Sequence, residues 1–312
     1  MQGALAMGSR RHLIVLLGAI LVAAGGSGAL VEIITGHNNK VDNNLAAQPM
    51  DDLVITRDIA YAPGELHSLD IYAPLTPGAP RPVVVFFHGG GYDSGQKADS
   101  AWVGAALARR GYVVVVPDFR LYPKVVWPAF LLDCAAAVRW THDNIASHGG
   151  DPSELVLMGH SSGAYNAMSL AVDRRWLNEV GMDPGHDLRA AVGLSGPYDD
   201  LPAINPTTNL KVQTIFGPKS QWPDTQPVNH ADGRSPPLLL ITGDRDDTVD
   251  PAESDEMAAS VRKSGGVVKL IHYPTLDHSG TIDALAPQNA KSSQVMDDIT
   301  AFISAPRATA AN

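Results

Sequence analysis

A single cysteine, Cys134, is all the thiol chemistry this 312-residue chain carries, so no disulfide can form within it. Cys134 lies inside the helical pattern "FLLDCAAAVRW", where a small buried hydrophobe is expected rather than a reactive thiol. The chain also lacks a long basic run, and its formal charge is −10. Without a cationic footprint for phosphate backbones, nucleic acid is excluded as a partner class. There is no internal repeat and no sign of a second hydrophobic core. With 45% hydrophobic and 18% charged residues, ordinary values for a globular protein, the economical expectation is one large domain.

The N-terminus is what stands apart. Arg10 and Arg11 precede "HLIVLLGAILVAA", an apolar core of signal-peptide length, and Ser27 to Ala29 supply small residues at the spacing a signal peptidase prefers. The twin arginine loosely resembles a twin-arginine signal. The uncharged stretch from Leu13 to Val31, 19 residues, is also barely long enough to anchor in a membrane. Glycines 18, 25, 26 and 28 weaken it as a helix and favour cleavage. Residues 1–29 therefore read as a signal peptide or anchor, with export to the periplasm or beyond. A membrane is a partner only if residues 13–31 are retained. Residues 30–51, Asn-rich and without apolar period, read as a linker.

Beyond the linker, apolar and amphipathic segments alternate. "DLVITRDIAY" and "HSLDIYAP" read as two early strands joined through Pro63-Gly64. "PVVVFFHGGG", "GYVVVVPDFR", "ELVLMGHSSG", "RAAVGLSGP", "PPLLLITGD" and "VVKLIHYP" follow. Their cores are continuous rather than alternating, as in strands buried on both faces of a parallel sheet. Helical stretches separate them. The clearest starts at Pro128, keeps Phe130, Cys134, Val138 and Ile145 in helical spacing, and stops at "GGD". Strand and helix in alternation define an α/β class with a doubly wound, mostly parallel sheet flanked by helices, here over residues 52–304 with a tail at 305–312. Residues 197–235, a long Pro-, Asn- and Asp-rich connection, interrupt the rhythm and suggest a partial lid, with Phe216 and Trp222 as candidate pocket residues.

Within "LVLMGHSSGAYNAMSLAVD", Ser161 stands two positions from Gly159 and from Gly163. Gly-x-Ser-x-Gly arises by chance in about one chain of this length in ten. Its setting is more telling: a strand runs into the motif and a helix runs out, the context a nucleophile elbow requires. Ser162 is off register, and Ser195 in "GLSGP" lacks the flanking pattern. A serine hydroxyl needs a base, and the base needs an orienting carboxylate. His278 follows the last strand on its loop, whereas His272 lies within that strand and reads as structural. The preceding strand ends in "GDRDDTVDP", which offers Asp244, Asp246, Asp247 and Asp250. This is no calcium loop: counted from Asp244, Val249 occupies the glycine position and Asp255 the glutamate position.

An acyl-transfer site also needs donors for an oxyanion. The N–H of Ser162 is one candidate, and "HGGGY" (88–92) offers more, because glycines expose their amides. That stretch lacks the Lys and Ser/Thr of a nucleotide P-loop and the spacing of a dinucleotide fingerprint.

Taken in order, His88-Gly89-Gly90-Gly91, "FRLYP" (119–123), "PAFLLDCAAAVRW", "GGDPSEL", Gly159 to Gly163, "GDRDDTVDP" and Asp277-His278 resemble bacterial carboxylesterases of the α/β-hydrolase superfamily. The branch is the hormone-sensitive-lipase-like and feruloyl-esterase-like one that also includes arylformamidases. The resemblance implies Ser161, Asp246 and His278 as catalytic residues, the aspartate three positions after Gly243. It implies Gly90, Gly91 and Ser162 as the oxyanion hole. Arg120, Asp133 and Asp151 match scaffold positions. No metal or organic cofactor is implied, and the partner is a small ester molecule. The stretch before residue 51 does not look like the helical cap of lipase-like members, which favours small or bulky soluble esters over fatty-acyl ones. The alternatives are an arylformamidase or amidase with the same machinery, and a non-catalytic hydrolase-like binding protein.

Overall fold

The structure is a computed structural model that describes residues 50–76, 78–201, 206–286 and 292–306. The segment read as a signal or anchor lies outside these residues. Among the described residues no helix is long and apolar enough to cross a membrane.

Strands β1 (Leu53–Ala60), β2 (Ser68–Pro74), β3 (Arg81–Phe87), β4 (Val113–Pro117), β5 (Gly150–His160), β6 (Leu188–Leu194), β7 (Leu238–Gly243) and β8 (Val268–Tyr273) form one sheet. Their spatial order is β1-β2-β4-β3-β5-β6-β7-β8. β2 pairs antiparallel with β1 and with β4; from β4 through β8 every pairing is parallel. The helices are α1 (Ala101–Arg109), α2 (Ala129–Asn144), α3 (Ser162–Val172), α4 (Pro206–Phe216), α5 (Ala252–Lys263) and α6 (Ser292–Ser304), with shorter turns between them.

Alternate side chains of each strand feed two apolar layers, because successive Cβ atoms leave a strand on opposite faces. Val83, Val85 and Phe87 of β3 join Leu155 and Leu157 of β5 against α2, α3 and α5. Val84 and Phe86 join Val156 and Met158 against α1 and α6. Both layers exclude water, so the central strands need apolar residues at every position, and burying each such side chain stabilises the fold by about 1.5–3 kcal/mol. Cys134 is buried in the first layer, and burial pushes its thiol well above the ordinary value.

β8 departs from the expectation of burial on both faces. It is the edge strand, paired only with β7, and most of its residues are half-buried or exposed. Lys269 and His272 interrupt its apolar residues, as suits a strand with one open edge. The parallel strands bring their C-terminal ends to one rim of the sheet, and the loops after β3, β5, β7 and β8 carry the residues described next.

Candidate active site

β5 ends at His160 and α3 begins at Ser162, leaving Ser161 alone to make the turn. Its backbone sits at φ 55° and ψ −128°, a conformation that a residue with a Cβ adopts only under external constraint. The constraint is tight. A Cβ at Gly159 would lie 2.1 Å from the Gly163 carbonyl oxygen, and one at Gly163 would lie 2.1 Å from that of Phe87. Any larger residue at either position would push α3 off the ends of β3 and β5. The amide of Ser161 donates to the Leu194 carbonyl at 2.9 Å, tying the turn to β6.

His278, on the loop after β8, approaches the serine. The distance from Ser161 Oγ to His278 Nε2 is 2.9 Å, and His278 Nδ1 lies 2.9 Å from Asp246 Oδ2. A carboxylate oxygen only accepts, so Nδ1 carries the proton and Nε2 presents a lone pair to the serine hydroxyl. Asp246 is buried, and its other oxygen accepts the backbone N–H groups of Thr248 at 3.0 Å and Val249 at 2.9 Å. Burial alone would raise its pKa. The hydrogen bond and charge of His278 and the two backbone donors outweigh burial and hold the carboxyl below its ordinary value.

The other aspartates of this loop are occupied elsewhere. Asp244 pairs with His272 at 2.7 Å, Asp250 accepts the Ala252 amide at the start of α5, and Asp247 receives the Thr248 hydroxyl at 3.4 Å. Asp246 is the member of the cluster that faces His278. Ser195 is buried and bonded to Thr281 Oγ1 at 3.0 Å, whereas Ser162 is buried in the first turn of α3.

The 88–92 loop passes beside the serine. A Cβ on Gly89 would stand 3.2 Å from that of Ser161. The loop folds back on itself: the Gly90 carbonyl accepts the Ser94 amide at 3.1 Å and its hydroxyl at 2.8 Å. Gly90 and Gly91 have φ of +123° and +59°. Their amides donate to no backbone carbonyl among the described residues, and the amide of Ser162, in the first turn of α3, has no intrahelical acceptor. His88 supports the loop from below, stacked on Phe119 at 4.4 Å with Nδ1–H donating to the Gly89 carbonyl at 2.7 Å. Among the described residues no group of three or more His, Cys, Asp or Glu side chains is placed to hold a metal ion.

The connection expected as a partial lid contributes α4. Phe216 does not line an open pocket. It is buried among Tyr92, Phe130 and Tyr165, with ring centroids 5.1, 6.1 and 5.3 Å away. Trp222 is also buried, its Nε1–H donating to the Gly217 carbonyl. It borders a concavity of about 530 Å³ lined by Leu210, Gln213, Thr214, Gly217, Pro218 and Lys219. Of these, Leu210, Gln213 and Thr214 occupy the face of α4 opposite Val212, Ile215 and Phe216, which are buried. Lys211 reaches the glycine loop. Its Nζ pairs with Asp93 at 2.8 Å and lies 3.2 Å from where a Cβ on Gly91 would stand.

Sequence reasoning passed over this lysine, and it passed over His160 and Thr281, which both donate to the His278 carbonyl, at 2.9 and 3.0 Å. His160 was visible only as an unassigned position in Gly-x-Ser-x-Gly. Nothing local marked the other two.

A sheet of this order, with a serine on a strained strand-to-helix turn and a histidine and an aspartate on the loops after the last two strands, has the α/β-hydrolase fold. More narrowly, residues 69–261 match the model of the BD-FAE family, and the chain belongs to it. Among curated proteins it is 26% identical over 260 residues to Esterase LipQ of Mycobacterium tuberculosis, spanning 78% of this chain and 61% of that protein. It is also 26% identical over 268 residues to the isoprenylcysteine alpha-carbonyl methylesterase ICME of Arabidopsis thaliana, spanning 80% of this chain and 62% of that one. The match thus covers about three fifths of each relative's length. Among solved structures, esterase B from Lactobacillus rhamnosis superposes with a TM-score of 0.71 at 19% identity, covering 82% of this chain and 86% of the other.

Proposed function

We propose that this chain is a serine carboxylesterase that hydrolyses small or aryl carboxylic esters through an acyl-enzyme. The observation that carries the proposal is the unbroken hydrogen-bond chain from Ser161 Oγ through the His278 ring to Asp246, with both links at 2.9 Å. The esterase names of the relatives agree with it.

Ser161 Oγ attacks the ester carbonyl carbon while its proton passes to His278 Nε2. The carbonyl π pair moves onto oxygen, and the amides of Gly90, Gly91 and Ser162 receive that oxyanion. Each such donor contributes about 10²–10³-fold in rate. The tetrahedral species collapses as the C–O bond to the alcohol breaks, and His278 gives its proton to the departing oxygen. Water, deprotonated by His278, then attacks the acyl-serine, and the carboxylic acid leaves with Ser161 restored. Asp246 keeps the imidazole in the Nδ1–H tautomer and stabilises the imidazolium formed in each half-reaction. The Arg10-Arg11 pair and the apolar stretch after it support a place of action outside the cytoplasm.

Ser161→Ala is expected to reduce p-nitrophenyl acetate hydrolysis by about 10⁴-fold or more, with unchanged circular dichroism and no labelling by a fluorophosphonate. Near-full activity in that variant would end the proposal. Faster turnover of an N-formyl arylamine than of an aryl acetate by the unaltered protein would replace the esterase reading with an amidase one.

A further inference from the structure

The residue between Gly159 and Ser161 has no role in the chemistry above, yet it is one of the most constrained side chains at the site. His160 is buried. Its ring lies against that of His278, centroids 4.8 Å apart and planes tilted by 49°. Its Nε2 is 2.9 Å from the main-chain oxygen of His278, a residue 118 positions away. A carbonyl only accepts, so Nε2 must carry a proton. The second lone pair of that carbonyl is taken by the Thr281 hydroxyl at 3.0 Å. Having given its proton there, Thr281 must accept from Ser195 Oγ, also at 3.0 Å. The His278 carbonyl is thus held from two sides, by the last residue of β5 and by a hydroxyl relay from the end of β6.

We propose that His160 is a positioning residue for the base. Through its Nε2–H it holds the His278 backbone at the distance from which the imidazole reaches Ser161. The inference rests on the reading of Ser161 and His278 as nucleophile and base. Its physical content is a shortening of the mechanical path between them. Through the sheet, Ser161 and His278 are joined by the turn after β5, the four paired strands β5 to β8 and the loop after β8. Through His160 they are joined by one peptide bond and one hydrogen bond, a path too short to accumulate positional error. A misplacement of about 1 Å in such a group costs about 10²-fold in rate.

The chemistry of histidine suits the position. Burial and the neighbouring His278 ring push His160 down to about 3, so it stays neutral with one proton. It therefore places no second positive charge beside the imidazolium that His278 becomes during turnover. A lysine or arginine there would supply the hydrogen bond and oppose the reaction, whereas a leucine would fill the space and release the carbonyl.

The test compares His160→Leu with His160→Gln, whose side-chain amide carries an N–H at similar reach. In p-nitrophenyl acetate hydrolysis, His160→Leu is expected to lose about 10–100-fold in kcat with KM changed less than about twofold, since ester binding does not use the base. His160→Gln is expected to recover most of the loss, and the rate of fluorophosphonate labelling should follow the same order. A kcat for folded His160→Leu within threefold of the parent, or equal losses in the two folded variants, would overturn the proposal. A measurement on the unaltered protein does not depend on either variant folding. In long-range ¹H–¹⁵N spectra His160 should be neutral and protonated at Nε2 from about pH 8 to 5; a proton on Nδ1, or an imidazolium by pH 6, would overturn it equally. Ser161→Ala separates the two levels: an active Ser161→Ala removes the underlying reading, whereas an inactive one beside an unaffected His160→Leu removes only this inference.

Discussion

Two buried carboxyl groups, fewer than ten residues apart in sequence, end in opposite electrostatic states. Asp246, on the loop after β7, is held below its ordinary value. Glu253, in the first turn of α5, is pushed up to about 8. Burial opposes ionisation in both, and both accept backbone N–H groups, from Thr248 and Val249 in one case and from Asp199 at 3.0 Å in the other. What differs is the neighbour. Asp246 faces the donating ring of His278 at 2.9 Å. Glu253 faces Asp200, itself pushed up to about 6 by burial and the nearby Asp199. Amide donors alone do not keep a buried carboxyl charged here; the sign of the next titratable group decides.

The strongest way to break this comparison is to remove the charge that the imidazole selects. Asp246→Asn keeps an acceptor for the two amides but offers the base an NH₂, which favours the wrong tautomer. The expected loss is about 10⁴-fold in kcat, measured on an aryl acetate. Asp247→Asn, one position along and outside the relay, should stay within about twofold, and a loss comparable to that of Asp246→Asn would reassign the acid.

The smallest effect concerns Glu253 and sharpens the other side. Its carboxyl binds a proton more tightly folded than unfolded. Its stabilising contribution is therefore largest below about 4.5, the ordinary glutamate value, and is lost as pH rises toward about 8. Glu253→Gln, which cannot ionise, should match the parent in Tm near pH 5 and exceed it by about 2 °C or more near pH 8.5, with kcat unchanged. An equal Tm at both pH values would show that Glu253 is not protonated in the folded state. At acid pH the sign reverses for Asp246. Its contribution is full above its ordinary value of 3.8 and disappears as pH falls through the lower folded one.

Much of this molecule was legible in the chain because it depends on local chemistry. Strands buried on both faces must be apolar at every position, so β3 to β7 stand out as runs such as "VVVFF" and "LLLIT". A serine on a turn where a Cβ would clash two positions either side must be flanked by glycines. Parallel strands carry their functional loops at one rim, so Ser161, an aspartate of the 244–250 turn and His278 could be named from their places after β5, β7 and β8. The hydrogen bonds join Ser161 and His278 with Asp246. Choosing Asp246 among four aspartates was a different matter. It needed a family resemblance, since all four share one polar turn and differ only in what they face.

Contacts that cross the chain left no such trace. Lys211 reaches Asp93, His160 reaches the His278 carbonyl, and Thr281 links that carbonyl to Ser195. Each pairs residues whose flanking sequence looks ordinary, and each exists because the sheet brings distant loops together. The same holds for β8, whose place at the edge comes from its single pairing, with β7. Periodicity and backbone sterics act within a few residues, and they were enough to set the elements, their order and the serine's turn. Which neighbour a buried group meets, and so whether Asp246 is charged, Glu253 protonated or His160 neutral, depends on distances across the fold. Electrostatic energy in a water-poor interior is set by those distances, and only the folded chain determines them.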